Sequence, residues 1–121
     1  MKRSGFKRRN KYGAIKTQVD GILFDSKLEA FHYDMLKMQL LAGEISDLDL
    51  QYEMPLKVGG KLICTYIADY YYYDKAAQKW VVSDAKGVKT DVFRIKWRLA
   101  QSLFPEFIFE LRHKYKITRE K

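Results

Sequence analysis

The 121-residue chain has one cysteine, two histidines and no long apolar run, and each scarcity removes a class of function. Cys64 alone makes neither a disulfide framework nor a cysteine zinc cluster. No stretch approaches the ~20 apolar residues that span a bilayer. The charged N-terminus lacks the apolar segment of a secretory signal, so the expectation is a cytoplasmic protein without a membrane partner. Acid is missing from residues 1–16, which hold seven Lys or Arg, and residues 112–121 set five bases against Glu120. The net charge of +8 therefore lies at the ends, around a mildly acidic body. Basic ends suit a polyanion because every phosphate contact releases counterions, although solvated tails share that composition.

What is present is a core. Hydrophobic residues make up 47% and aromatics 15% of the chain, enough for a single domain. The sequence divides into a flexible basic arm (1–17), a folded domain (18–111) and a basic tail (112–121). Val19 to Phe24 reads as a short strand or a turn about Asp20-Gly21. A helix is expected from Ser26 to Ala42, with Leu28, Phe31, Met35, Met38 and Ala42 as its apolar stripe and Gly43 as its stop. Strands follow at Leu48–Val58 and Lys61–Tyr73, joined by Gly59-Gly60, the second apolar on both faces and so interior. A third runs from Lys79 to Lys86. A helix from Thr90 to Phe104 carries Val92, Ile95, Leu99 and Leu103, Pro105 ends it, and Glu106–Leu111 is a last strand. The expected fold is α/β: an αβββαβ core whose central mixed β-sheet is flanked by helices.

Two acids stand out because they fall inside strands. Asp69 interrupts Tyr66-Ile67-Ala68-Asp69-Tyr70-Tyr71, and Asp84 ends Trp80-Val81-Val82-Ser83-Asp84. A buried carboxylate is costly unless compensated. A four-residue loop at 75–78 pairs Asp74 with Lys79, and counting back along both strands sets Asp69 opposite Asp84. Like charges so placed repel, and Lys86 falls on the same face. A divalent cation would reconcile them. Oxygen ligands without Cys or clustered His suit Mg²⁺, with Mn²⁺ as a substitute. A structural salt bridge from Lys86 to one aspartate is the plainer alternative.

Asp69 followed by Asp84-Ala85-Lys86 resembles the PD-(D/E)XK nuclease signature, with Ala68 in the place of the proline that names it. Val19-Asp20-Gly21, the run Phe24 to Ala30, Gly43-Glu44-Ile45 and the run Asp84 to Thr90 resemble a family of small phage proteins in that superfamily. The likeness covers residues 11–111, and archaeal Holliday-junction resolvases and phage endonuclease I share the core. The resemblance implies a restriction-endonuclease-like fold, Asp69, Asp84 and the Ala85 carbonyl as metal ligands, and Lys86 as the assistant of the attacking water. It also implies metal ligation by Glu29, directly or through water, whereas the residues themselves read Ser26-Lys27-Leu28-Glu29 as a capping box. Related families carry a glutamine on the first strand. Gln51 would serve only if a bulge turned it inward, because an ideal Gly59-Gly60 turn sets Leu50, not Gln51, opposite Asp69.

Other residues have plainer readings. Tyr70 to Tyr73 alternate faces and should pack rather than stack on bases. His32 is expected to pack or face solvent, Cys64 to join the core, and His113 to meet phosphate. Lys7, Arg8, Arg9 and Lys11 of the arm, with Lys89 and Arg94 beside Lys86, are the expected DNA contacts, and Lys96 and Arg98 flank them. The implied activity is a Mg²⁺-dependent DNA endonuclease leaving a 5′-phosphate and a 3′-hydroxyl, with no small-molecule cofactor. A domain this small favours shape over base sequence, hence branched DNA such as a Holliday junction, cut by a homodimer. A phage origin would put it in the host cytoplasm. The alternatives are a less selective phage endonuclease or nickase, and a non-catalytic DNA-binding module.

Overall fold

A computed structural model describes residues 16–114 and 116–120. Asp20 and Gly21, both at positive φ, turn a small hairpin from β1 (Thr17–Val19) to β2 (Ile22–Phe24). Helix α1 (Lys27–Leu41) begins at Ser26, whose Oγ accepts from the Glu29 NH at 3.1 Å. It stops where Gly43, at φ 77°, donates its NH to the Leu40 carbonyl. β3 (Ile45–Val58) and β4 (Lys61–Asp74) form a long hairpin about Gly59 and Gly60, whose φ values of 57° and 79° glycine adopts without strain. A second turn leads to β5 (Lys79–Ala85). Thr90 caps α2 (Asp91–Leu103), which crosses over to β6 (Ile108–Arg112), parallel to β5. β7 (Ile117–Glu120) pairs antiparallel with β6. The chain is thus α/β, with a five-stranded mixed sheet in the order β3-β4-β5-β6-β7.

The sheet is covered on both faces. Ala30, Tyr33 and Leu36 of α1 pack with Tyr70, Tyr72, Val81 and Ala85, joined by Phe24 from the hairpin. Phe93, Trp97 and Ala100 of α2 pack with Tyr66, Ala68, Val82, Phe109 and Leu111. Both helices bury a face adjacent to the expected one. On α1, Phe31, Met38 and Leu41 are exposed, and on α2 Val92 and Ile95 are. The physical reason is that α1 carries apolar residues around much of its circumference, whereas α2 is one-sided but has an apolar face broader than the sheet covers. Tertiary packing then selected the face with His32 and Tyr33 on α1 and the ring-bearing face on α2.

The ends of the chain also differ from expectation. β1 takes in Thr17, one residue into the expected arm. The expected tail is part of the sheet, since Arg112 ends β6 fully buried and residues 117–120 form β7. Its charged residues read as solvated because their partners, Glu110, Asp74 and Trp97, are remote in sequence.

Candidate active site

The loop 75–78 sets the register between β4 and β5. Asp74 pairs with Lys79, and the pairs continue in step to Tyr70 and Ser83. There the ladder ends, one rung short of Asp69 and Asp84. Beyond it β4 pairs only with β3, while Asp84 and Ala85 pair with Leu111 and Arg112 of β6. The two strands part at that point, and a side chain spans the gap: the Ala85 NH donates to Asp69 Oδ2 at 3.0 Å.

The alternation of side chains breaks at the same place. Ala68 and Tyr52 lie under α2, whereas Tyr70 and Leu50 lie under α1. A regular strand would keep residues two apart on one face. Both strands therefore reverse at the rung between, which holds Gln51 and Asp69. Gln51 adopts φ 55°, outside strand geometry. It reaches that rung because the register shifts by one between Leu56 and Lys57, so that Leu56 pairs with Cys64. The glutamine thus sits opposite Asp69, as only a bulge would allow.

Asp69 and Asp84 are both buried, Asp84 almost completely. The Tyr66 hydroxyl, itself buried, donates to Asp84 Oδ2. Asp84 Oδ1 is the single buried side-chain polar atom among the described residues without a hydrogen-bond partner. The Lys86 ammonium lies 3.7 Å from it, and 4.8 Å above the Phe93 ring. Burial, with the neighbouring Asp69 charge, pushes the Asp84 carboxyl well above the usual carboxylate range. Burial alone would lower Lys86, but Asp84, Asp69 and Glu29 outweigh it and hold the ammonium charged. Burial and Asp84 raise the Tyr66 hydroxyl far above its ordinary value, so it stays a donor.

The structure thus gathers Asp69, Asp84, the Ala85 NH and Lys86, and sets Gln51 at the edge. Glu29 lies near enough for its charge to act on Lys86 and Tyr70, and its carbonyl accepts from the Tyr70 hydroxyl. Ser26 acts as a helix cap. No group of three or more His, Cys, Asp and Glu is arranged to hold a metal ion among the described residues. Glu29 is therefore not gathered with the two aspartates as a third direct ligand. Two adjoining carboxylates still fit Mg²⁺, which commonly takes one or two and keeps several waters. Tyr66 was missed because a strand tyrosine reads as core, and only the turn of β4 toward β5 reveals its partner.

A family model described as "Protein of unknown function (DUF1064)" matches residues 9–119. The chain belongs to the DUF1064 family. No curated protein and no solved structure matches it. In this DUF1064 protein Lys89 and Arg94 line a groove of about 400 Å³ along α2, with Phe93 and Trp97. Lys7, Arg8, Arg9 and Lys11 lie outside the described residues. His32 is buried, with its Nδ1 at 3.3 Å from Arg112, and Cys64 packs against the α2 core. Tyr70 and Tyr72 are buried, and Tyr71 stacks between Tyr52 and Trp80 at centroid distances of 3.8 and 5.0 Å. No described helix is long and apolar enough to cross a membrane.

Proposed function

We propose that this protein is a Mg²⁺-dependent DNA endonuclease with a restriction-endonuclease-like core. One observation carries the reading: a buried carboxylate oxygen on Asp84 that accepts no hydrogen bond, beside Asp69 and with the Lys86 ammonium 3.7 Å away. A fold gains nothing from such an atom, and a hard cation is the partner that its chemistry asks for.

Asp69 and Asp84 would hold the ion, with the Ala85 carbonyl as a further ligand and Glu29 and Gln51 acting at most through water. Mg²⁺ or Mn²⁺ in that place supplies Lewis-acid polarisation of a phosphate oxygen and acidifies a bound water. The protein's own groups do the rest. Tyr66 ties up Oδ2, so Oδ1 would be the oxygen left to hold the ion. The Ala85 NH fixes Asp69. The Lys86 ammonium, kept charged by the carboxylates, faces the phosphorus and stabilises charge that grows as water attacks. The bond from phosphorus to the 3′-oxygen breaks, leaving a 5′-phosphate and a 3′-hydroxyl.

Branched DNA, with a Holliday junction as the leading case, is the proposed substrate. A homodimer would offer two such sites to one junction, and the exposed apolar residues of α1 offer it a surface to bury. Cleavage of four-way, flapped and linear duplex DNA with Mg²⁺ or Mn²⁺ tests this directly. Cutting only with metal, lost in Asp84→Ala and Lys86→Ala, is expected. Undiminished cutting by Asp84→Ala would remove the mechanism. Equal cutting of all three substrates would leave a general endonuclease, and a monomer by light scattering with junction bound would remove the dimer.

A further inference from the structure

The groove along α2 adjoins the candidate site through one shared ring. Phe93 forms part of its wall and also lies 4.8 Å beneath the Lys86 ammonium. From there the lining runs past Arg94, Arg98 and Gln101, spaced four and three residues apart and so on one helix face, with Lys89 at the mouth. The floor is Trp97 and Leu111, both buried. The groove's single acid, Glu120, faces into the protein, accepting at Oε2 from Trp97 Nε1 at 2.8 Å and Gln101 Nε2 at 3.1 Å. Arg94 has only a loose ion pair, 3.8 Å from an Asp91 that is 95% exposed. Among the described residues Lys89 and Arg98 have no acidic partner.

We infer that this groove carries the sugar-phosphate backbone of one DNA strand leading away from the scissile phosphate, and holds it by charge alone. The inference deepens the nuclease reading and rests on it for the direction of the strand. From Phe93 to Gln101 the helix advances about 12 Å, and one strand of duplex presents a phosphate every ~3.4 Å. Roughly three phosphates therefore lie beside three cations. The floor offers side chains already packed, and the rim offers mainly charge, so no base edge has a dedicated partner. Arg98 thereby joins Lys89 and Arg94 as a phosphate contact, and Gln101 becomes the residue that keeps Glu120 out of the strand's path.

The test measures binding without cutting. Full-length protein in EDTA is titrated by fluorescence anisotropy against two duplexes of unrelated sequence over a range of NaCl. The comparison is wild type against a Lys89→Ala, Arg94→Ala, Arg98→Ala triple variant and an Arg94→Lys, Arg98→Lys double variant. Each cation contributes about 0.9 to the slope of log affinity against log salt, so the triple variant should be shallower by roughly 2–3 and weaker on both duplexes alike. The double variant keeps both charges and should keep the slope, which separates loss of charge from loss of fold. An unchanged slope in the triple variant overturns the inference, as does a loss confined to one sequence or a wild type that binds no DNA. Cleavage in Mg²⁺ is scored separately. Groove-dependent binding without cleavage supports the groove and removes the nuclease; cleavage with an unchanged slope does the reverse.

Discussion

Two buried polar clusters meet β5 at adjacent residues, Ser83 and Asp84, and they are built on opposite terms. Under α1, Arg112 is fully buried and meets Ser83 Oγ and Glu110 Oε2 through Nε at 2.9 Å, and Tyr72 and His32 through its terminal nitrogens at 3.3 Å. Glu110 is met further by Tyr72 at 2.7 Å, Ser83 at 2.8 Å and Arg119 at 3.1 Å. There no buried side-chain nitrogen or oxygen of the described residues lacks a hydrogen bond. At the fork of β4 and β5, two acids face each other and one oxygen has none. Burial is similar in the two, so burial is not what separates architecture from chemistry. Completion of the hydrogen bonding is.

The largest test of that contrast is Arg112→Ala. Removing the guanidinium leaves buried Glu110 with two hydroxyls and the half-exposed Arg119 as partners, and loss of the buried member of such a pair costs about 3–5 kcal/mol. Urea denaturation should show it, and a loss below 1 kcal/mol would mean that the cluster is as incomplete as its neighbour. Lys86→Ala addresses the other side. Cleavage should fall by ~10²–10³, the usual effect of deleting one preorganised electrostatic stabiliser, with the melting temperature little changed because Lys86 is partly exposed.

Asp84→Asn is expected to abolish cutting and yet stabilise the metal-free fold by about 1 kcal/mol, since an amide donates to Asp69 where a second carboxylate repels it. The sign with pH follows. The folded-state value of Asp84 lies above the unfolded one. Between the two the native state binds the extra proton, so metal-free wild type loses stability as pH rises out of the ordinary carboxylate range. The Asn variant should show no such loss, and Mg²⁺ should restore wild type alone. Thermal melts over pH, with and without the ion, decide this. The smallest effect belongs to His32, which burial, aided by Arg112, holds below its ordinary pKa although the His113 carbonyl and Glu110 pull it up. A neutral ring is the native form, so its contribution is complete above about 6.5, the unfolded value, and fades as pH falls below it. A His32→Gln variant should flatten that part of the stability profile.

Only the active-site side of this contrast is legible in the sequence, and the legible part is instructive. The loop after Asp74 fixed the β4–β5 register down to Tyr70 and Ser83, because period-two alternation leaves no freedom once a turn length is known. The same register carried one rung further would pair Asp69 with Asp84, and there the ladder gives way to the Asp69 bond from the Ala85 NH. The bulge that brings Gln51 opposite Asp69 depends on how the β3–β4 hairpin packs, which neighbours in sequence do not record. The Arg112 cluster was invisible for a similar reason. Its members come from α1, β4, β5, β6 and β7, and each taken alone looks like a surface charge or a packing tyrosine.

The reach of Arg112 to His32, 80 positions back along the chain, has a bearing on how the protein comes into being. On the ribosome α1 and the β3–β4 hairpin emerge well before Arg112, the partner of the buried imidazole. The α1 side of the core cannot be sealed until β6 is released and docks parallel to β5, a step delayed by the loop closure that non-local pairing requires. Nascent chains that stall before Leu111 would hold an unfinished sheet with the β5 edge open. Strands β6 and β7 thus act as the clasp of synthesis, and chains truncated ahead of them should be recognised by chaperones rather than accumulate as folded protein.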